Sequence, residues 1–126
     1  MYVLLITSDN NSFLDPAAAL EENGMQTVRA ESGAAAFSMI GDKAFDLVII
    51  DEKLSDMTGL EFAEKLVTVN PMMNCAMVSS LSPEDFHEAT EGFGILMQLP
   101  LTPGKEDAEK LLKHLNSILN LTNRKV

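Results

Sequence analysis

Apolar residues gather along this chain in five short runs, separated by stretches in which apolar positions recur at helical spacing. The runs are Val3–Thr7, Gln26–Arg29, Leu47–Ile50, Cys75–Val78 and Ile95–Leu99. The first and third are continuous aliphatics, as a strand covered on both faces requires. The second is short and mixed, which fits the edge of a sheet. Each stretch between carries a helix start. Asn11 or Ser12 can cap the first helix, with Pro16 inside its first turns, and Ser32 precedes the second. Thr58 and Glu61 form a T-x-x-E capping box for the third, Ser82 and Pro83 open a short fourth, and Thr102 and Pro103 open the last. In that last helix Ala108, Leu111, Leu112, Leu115, Ile118 and Leu119 make one apolar stripe.

Strands and helices that alternate through short links imply parallel strands and right-handed crossovers. The predicted fold is therefore α/β, a three-layer (βα)5 sandwich around a five-stranded parallel sheet. No linker, repeat or low-complexity block divides it. Residues 1–121 read as one domain and residues 122–126 as a frayed, basic tail.

Length and composition agree with one compact domain: 126 residues, 46% hydrophobic. No apolar run reaches the length of a membrane span and no secretory signal opens the chain, so the cytoplasm is the expected address. The net charge of −10 repels nucleic acid and anionic membranes and suits divalent cations and basic protein partners, although acidity also serves solubility alone. Cys75 is the only cysteine and reads as a small core residue. His87 and His114 lack partners at ligand spacing and read as surface residues.

In open parallel sheets, ligands bind beyond the carboxyl ends of the strands. At those ends the chain places Ser8 and Asp9, then Asp51, then Ser79 and Ser80, then Gln98, Leu99 and Pro100. If the first and third strands are neighbours, Asp9 and Asp51 face one cleft. Two carboxylates that close repel each other, and Mg2+ would relieve the repulsion, with the backbone carbonyl of Lys53 as a further oxygen. A carboxylate can also act as a nucleophile toward phosphorus, forming an aspartyl phosphate, and the Ser79 hydroxyl could bond a phosphoryl oxygen. The plainer reading is that an Asp after a strand caps a helix or forms a turn. That reading weighs more for Asp9 than for Asp51, which follows four aliphatics and precedes a long loop.

These segments resemble the receiver domain of bacterial two-component response regulators. The resemblance covers essentially the whole chain: MYVLLITSDNNSFL, DLVIIDEKLSDMTGLEF with its Gly59, AMVSS and ILMQLPLT occur in the family's order. It implies the flavodoxin-like receiver topology. Asp51 matches the aspartate phosphorylated by a histidine kinase or phosphotransfer protein, Asp9 a magnesium ligand, Lys53 the position whose carbonyl binds the metal, and Ser79 the switch hydroxyl. Such a domain is a phosphoacceptor, able to catalyse its own phosphorylation and dephosphorylation, rather than an enzyme acting on a separate substrate. The departures are as informative. Ser8 stands at the first acidic position, Ser55 at the loop proline, Leu99 at the lysine before Pro100, and Leu96 at the aromatic switch position. The fourth helix is abbreviated.

Two readings follow. One is a phosphorylatable receiver, stand-alone or part of a larger regulator, that signals through a downstream protein, with a homodimer also open. The other is a degenerate receiver that binds partners without phosphate. Between them, the Lys53 ammonium could fold back and replace the missing lysine charge. Haloacid-dehalogenase-type phosphatases fit less well, because they use D-x-D and Lys53 stands two residues after Asp51. A nucleotide-binding domain would need a glycine fingerprint after a strand, which ESGAAA and EGFG lack.

Overall fold

The computed structural model describes residues 1–9 and 11–122, with side chains described as far as Ile118. Its elements run β1 (Tyr2–Ile6), α1 (Leu14–Glu22), β2 (Gln26–Ala30), α2 (Gly33–Asp42), β3 (Leu47–Ile50), α3 (Gly59–Val69), β4 (Cys75–Val78), α4 (Pro83–Ala89), β5 (Ile95–Leu99) and α5 (Lys105–Thr122). All strand pairings are parallel and the order is β2-β1-β3-β4-β5. This is the flavodoxin-like order, with the reversal between β1 and β3. The second run lies on an edge, as its composition suggests. Helix α5 includes Thr122, and residues 123–126 of the expected tail lie outside the described residues, as does the side chain of Leu119 in the expected stripe.

The period of two along each strand divides the core into two layers. Val3, Leu5, Leu47, Ile49, Ala76, Val78 and Leu99 turn toward α1 and α5, where they meet Leu20, Ala108, Leu111 and Leu115. Leu4, Ile6, Val48, Ile50, Cys75 and Met77 turn the other way, against Ala36, Phe62, Leu66 and Phe86 of α2, α3 and α4. All four residues of β3 are fully buried, which explains why the run is aliphatic at every position. Burial also pushes the Cys75 thiol up to about 12, so it stays protonated and packs as a small apolar group.

Three helix starts follow their local signals. Ser32 accepts from Ala35 N–H, Ser82 accepts from Asp85 N–H with Pro83 in the first turn, and the Thr58–Glu61 box is closed from both sides. Two starts differ. Helix α1 begins after Phe13 with no side-chain cap, so neither Asn11 nor Ser12 serves; burial of Phe13 in the α1–α5 layer decides where the helix enters. Helix α5 begins beyond Thr102 and Pro103. Gly104 N–H donates to Asp107 Oδ2 at 2.8 Å, and Ala108 N–H reaches the Gly104 carbonyl at 3.3 Å.

Strand β5 has an irregularity that the sequence pattern does not reveal. Cys75 pairs with Ile95 but Ala76 with Met97, so Leu96 is an extra residue. Leu96 and Met97 accordingly both pack toward the α1–α5 layer.

Phe62 is fully buried and its ring lies 4.5 Å from that of Phe37, tilted by 31°. Truncating it leaves a large cavity where α2 and α3 meet the sheet. Phe62→Ala is expected to lower unfolding free energy by about 3–5 kcal/mol in urea titration; a loss under about 1 kcal/mol would mean that this layer collapses onto the void.

Candidate functional site

The end of the sheet is built around Asp51, the first residue after β3. Its N–H donates to the Ile6 carbonyl at 2.9 Å, carrying the parallel ladder one step beyond the strand. The side chain then leaves the sheet half-buried. Asp51 Oδ1 accepts from Glu52 N–H at 2.8 Å, and Oδ2 accepts from the Thr7 hydroxyl at 2.6 Å. Thr7 is only 1% exposed. It reaches Asp51 because Ile6 pairs with Ile50, which sets the next residues of each strand side by side. Thr7 Oγ1 also accepts from Asp9 N–H at 3.1 Å, so one hydroxyl joins the Asp51 carboxylate to the following turn.

Asp9 belongs to that turn. It is exposed, and its Oδ1 accepts from Asn11 N–H at 2.9 Å. The sheet order brings Asp9 and Asp51 to the same end of neighbouring strands, but the group in contact with Asp51 is Thr7, not the Asp9 carboxylate. Ser8 turns aside, donating from Oγ to the Glu31 carbonyl at 3.2 Å. Arg29 on β2 donates to the Thr7 carbonyl at 3.0 Å and pairs with Glu31 at 3.3 Å, so its charge is spent at the sheet edge.

The loop after β3 is latched onto the start of α2. Asp56 accepts from Gly33 N–H at 2.8 Å and Ala34 N–H at 3.0 Å, and Ser55 donates to the Glu31 carbonyl at 3.4 Å. A carboxylate on free helix N–H groups is favoured by both hydrogen bonding and the helix dipole. The bonds from Gly33 and Ala34 hold the Asp56 carboxyl below its ordinary range. Within the loop, Lys53 and Thr58 form a short antiparallel bridge and Leu54 N–H donates to Met57. The Lys53 side chain is exposed and makes no hydrogen bond or ion pair among the described residues. Gly59 closes the loop by donating to the Glu52 carbonyl at 2.9 Å. A Cβ at Gly59 would overlap the Asp51 carbonyl oxygen, so glycine is required there by close approach.

On the far side, Ser79 is buried at the end of β4, and its Oγ accepts from Leu81 N–H at 3.2 Å. Gln98 Nε2 donates to the Ser79 carbonyl at 3.2 Å and the Leu81 carbonyl at 2.8 Å, gripping the β4–α4 loop from β5. Leu99 is 1% exposed and belongs to the α1–α5 layer, and Leu96 packs against the same layer. Glu52 spans the gap between loops: its Oε2 accepts from Ser80 N–H at 2.6 Å and Ser80 Oγ at 2.8 Å. Beside it, a hollow of about 190 Å³ opens among Leu60, Met77, Ser79 and Leu81.

The expected magnesium site can be tested against these donors. Both Asp51 oxygens hold protein hydrogen bonds, and the Asp9 carboxylate is turned into its own loop. Among the described residues no three His, Cys, Asp or Glu side chains are placed to share an ion. The side chains expected to hold magnesium, Asp51 and Asp9, are thus engaged by the protein's own hydrogen-bond donors in this structure. Thr7 was legible in principle from strand register, whereas Glu52 and Asp56 read in sequence as ordinary loop carboxylates.

Comparison with known proteins follows the same lines. The family model described as the response regulator receiver domain matches residues 3–100. The chain is 24% identical over 120 residues to the response regulator receiver protein CpdR of Brucella abortus, covering 94% of this chain and 90% of that one. It is 27% identical over 123 residues to the uncharacterized transcriptional regulatory protein YesN of Bacillus subtilis, but spans only 33% of that longer protein. Among solved structures, a two-component response regulator from Clostridium difficile superposes with a TM-score of 0.83 at 19% identity, over 95% of this chain and 98% of that one. The chemotaxis response regulator CheY4 of Vibrio cholerae gives 0.80 at 19% identity, over 90% and 97%. At such identity these likenesses show the fold.

Two outcomes follow from the loop geometry. Gly59→Ala is expected to destabilise by about 1–3 kcal/mol in urea titration, because backbone must move; Gly41→Ala, with open space around its Cβ in α2, is expected to be neutral or to stabilise by up to about 1 kcal/mol. For Asp56 the folded state favours the ionised form, so its contribution is fully present above the unfolded value of about 3.9 and is lost as pH falls through the lower folded value. Asp56→Ala should therefore be less stable than the parent by a constant margin near neutrality. That margin should narrow below about pH 4; a margin independent of pH would show that the carboxylate charge is not what holds the latch.

Proposed function

The chain belongs to the response regulator receiver domain family, and on that premise we propose that it serves two-component signalling as a protein-interaction module whose contacts do not depend on phosphate at Asp51. The observation that carries this reading is the charge balance at the sheet end. A phosphoryl group on Asp51 would replace a carboxylate of charge −1 by an acyl phosphate of about −1.5 to −2, deepening the local negative charge by up to about one unit and adding three acceptor oxygens. It would do so beside the Glu52 carboxylate, with Leu99 buried in the apolar layer and Lys53 exposed and unpaired among the described residues. The chain's own donors already satisfy Asp51 through Thr7 and Glu52. The signal then leaves through protein contact, in the cytoplasm, with a histidine kinase, a phosphotransfer protein or a downstream effector as the class of partner. No described helix is long and apolar enough to cross a membrane.

The second reading keeps phosphorylation, and a specific arrangement favours it. Asp51 is half-exposed at the tip of a fully buried strand, with the Ser79 hydroxyl at the tip of the next. On that reading Asp51 takes the phosphoryl group from its upstream partner with magnesium assistance, Ser79 bonds it, and breaking the Thr7 hydrogen bond is the first cost of the reaction.

The two are separated by intact-mass measurement after incubation with acetyl phosphate, with and without magnesium. The expected result is no gain of one phosphoryl mass in the parent beyond that in Asp51→Asn. A magnesium-dependent adduct absent from Asp51→Asn would establish the second reading and remove the first.

A further inference from the structure

We propose that Glu52 is a resident anion: its carboxylate fills an oxyanion-binding pair of donors on Ser80 and thereby holds the β4–α4 loop in one arrangement. One oxygen, Oε2, accepts both the Ser80 N–H at 2.6 Å and the Ser80 hydroxyl at 2.8 Å. Hydrogen bonds to an ionised acceptor are shorter and roughly twice as strong as neutral ones. The side chain leaves a braced backbone, since Glu52 N–H donates to Asp51 Oδ1 at 2.8 Å and its carbonyl accepts from Gly59 at 2.9 Å. Ordering this half-buried carboxylate toward Ser80 therefore costs little more than its side-chain rotamers.

The receiving loop is equally prepared. Gln98 holds the carbonyls on either side of Ser80, those of Ser79 and Leu81, and Leu81 N–H is tied back to Ser79 Oγ. With its neighbours gripped, Ser80 presents its N–H and hydroxyl together toward the end of the sheet. Paired donors in that position, beyond the carboxyl ends of parallel strands, are suited to an anionic group. Here the chain supplies the anion itself, from the residue next to Asp51. An external oxyanion meets occupied donors and a like charge. With the carboxylate removed, the same donors are free to take one. This inference does not rest on whether Asp51 accepts phosphate.

The test uses backbone-amide NMR on the full chain, comparing the parent with Glu52→Ala. Two results are required. Hydrogen exchange of the Ser80 amide should quicken by about tenfold or more, the effect of losing a charge-assisted hydrogen bond, while amides of β1 keep their rates. Titration with inorganic phosphate should shift the Ser80 amide in Glu52→Ala and leave it in place in the parent. Unchanged exchange, no phosphate response in the variant, or an equal response in the parent each overturns the proposal. Glu52→Met, which keeps the side-chain length and removes both the charge and the acceptor oxygen, carries the same two readouts should the alanine variant fail to fold. Acetyl phosphate labelling of Asp51 is read separately by mass, so failure here is distinct from failure of the functional reading.

Discussion

The pairing of β3 with β1 is the constraint on which the remainder depends. Strand β3 is four aliphatic residues bracketed by two aspartates, and both aspartates are bonded to β1. Asp46 Oδ2 accepts from Tyr2 N–H at 2.8 Å at one end, and Asp51 Oδ2 accepts from the Thr7 hydroxyl at 2.6 Å at the other. Hydrophobicity alone would tolerate a slip here, because both faces of β3 are apolar. The carboxylates do not. Moving the strand by one residue would draw one of them between covered faces, where an unpaired charge costs several kcal/mol or forces protonation. The register that avoids this is the one that sets Thr7 against Asp51.

From that register comes the electrostatic character of the sheet end. Carboxylates accumulate there, and the protein's own donors bond each of them. Thr7 and Glu52 N–H serve Asp51, Ser80 serves Glu52, and the first amides of α2 serve Asp56. Ser8 and Ser55 converge on the Glu31 carbonyl, so two hydroxyls tie the β1–α1 and β3–α3 loops to the same point at the end of β2. Leu99, at the place where the resemblance implies a lysine, is spent on the core between the sheet, α1 and α5. The same residue cannot serve both ends, and burial decided which it serves.

Loops, more than strands, distinguish this site from a generic sheet end. The β3–α3 loop is closed by Gly59 against the Asp51 carbonyl and pinned by Asp56 to α2. The β4–α4 loop is held from the β3–α3 loop by Glu52 and from β5 by Gln98. Both loops therefore sit at the same carboxyl-terminal edge, joined there by the Glu52–Ser80 hydrogen bonds.

The elements were legible from sequence where their cause is a local side-chain signal. Continuous apolar runs mark β3 and β4 to the residue because both faces of those strands are covered, and the caps at Ser32, Thr58 and Ser82 bond partners within a turn of themselves. Two starts were not legible: buried Phe13 sets the entry to α1 by packing, and at α5 the Gly104 N–H bonds Asp107, a local bond made by a residue with no capping side chain to mark it, which displaces the expected start at Thr102. At the site, the chain by itself marked Asp51, Ser79 and the anomalous Leu99. Only the tertiary structure decided that Thr7 touches Asp51 across 44 residues, while Asp9 turns away, and that Glu52 meets Ser80 across 28. The reason is physical: apolar periodicity and caps are properties of neighbours in sequence, whereas the partner of a loop carboxylate is chosen by strand order and register.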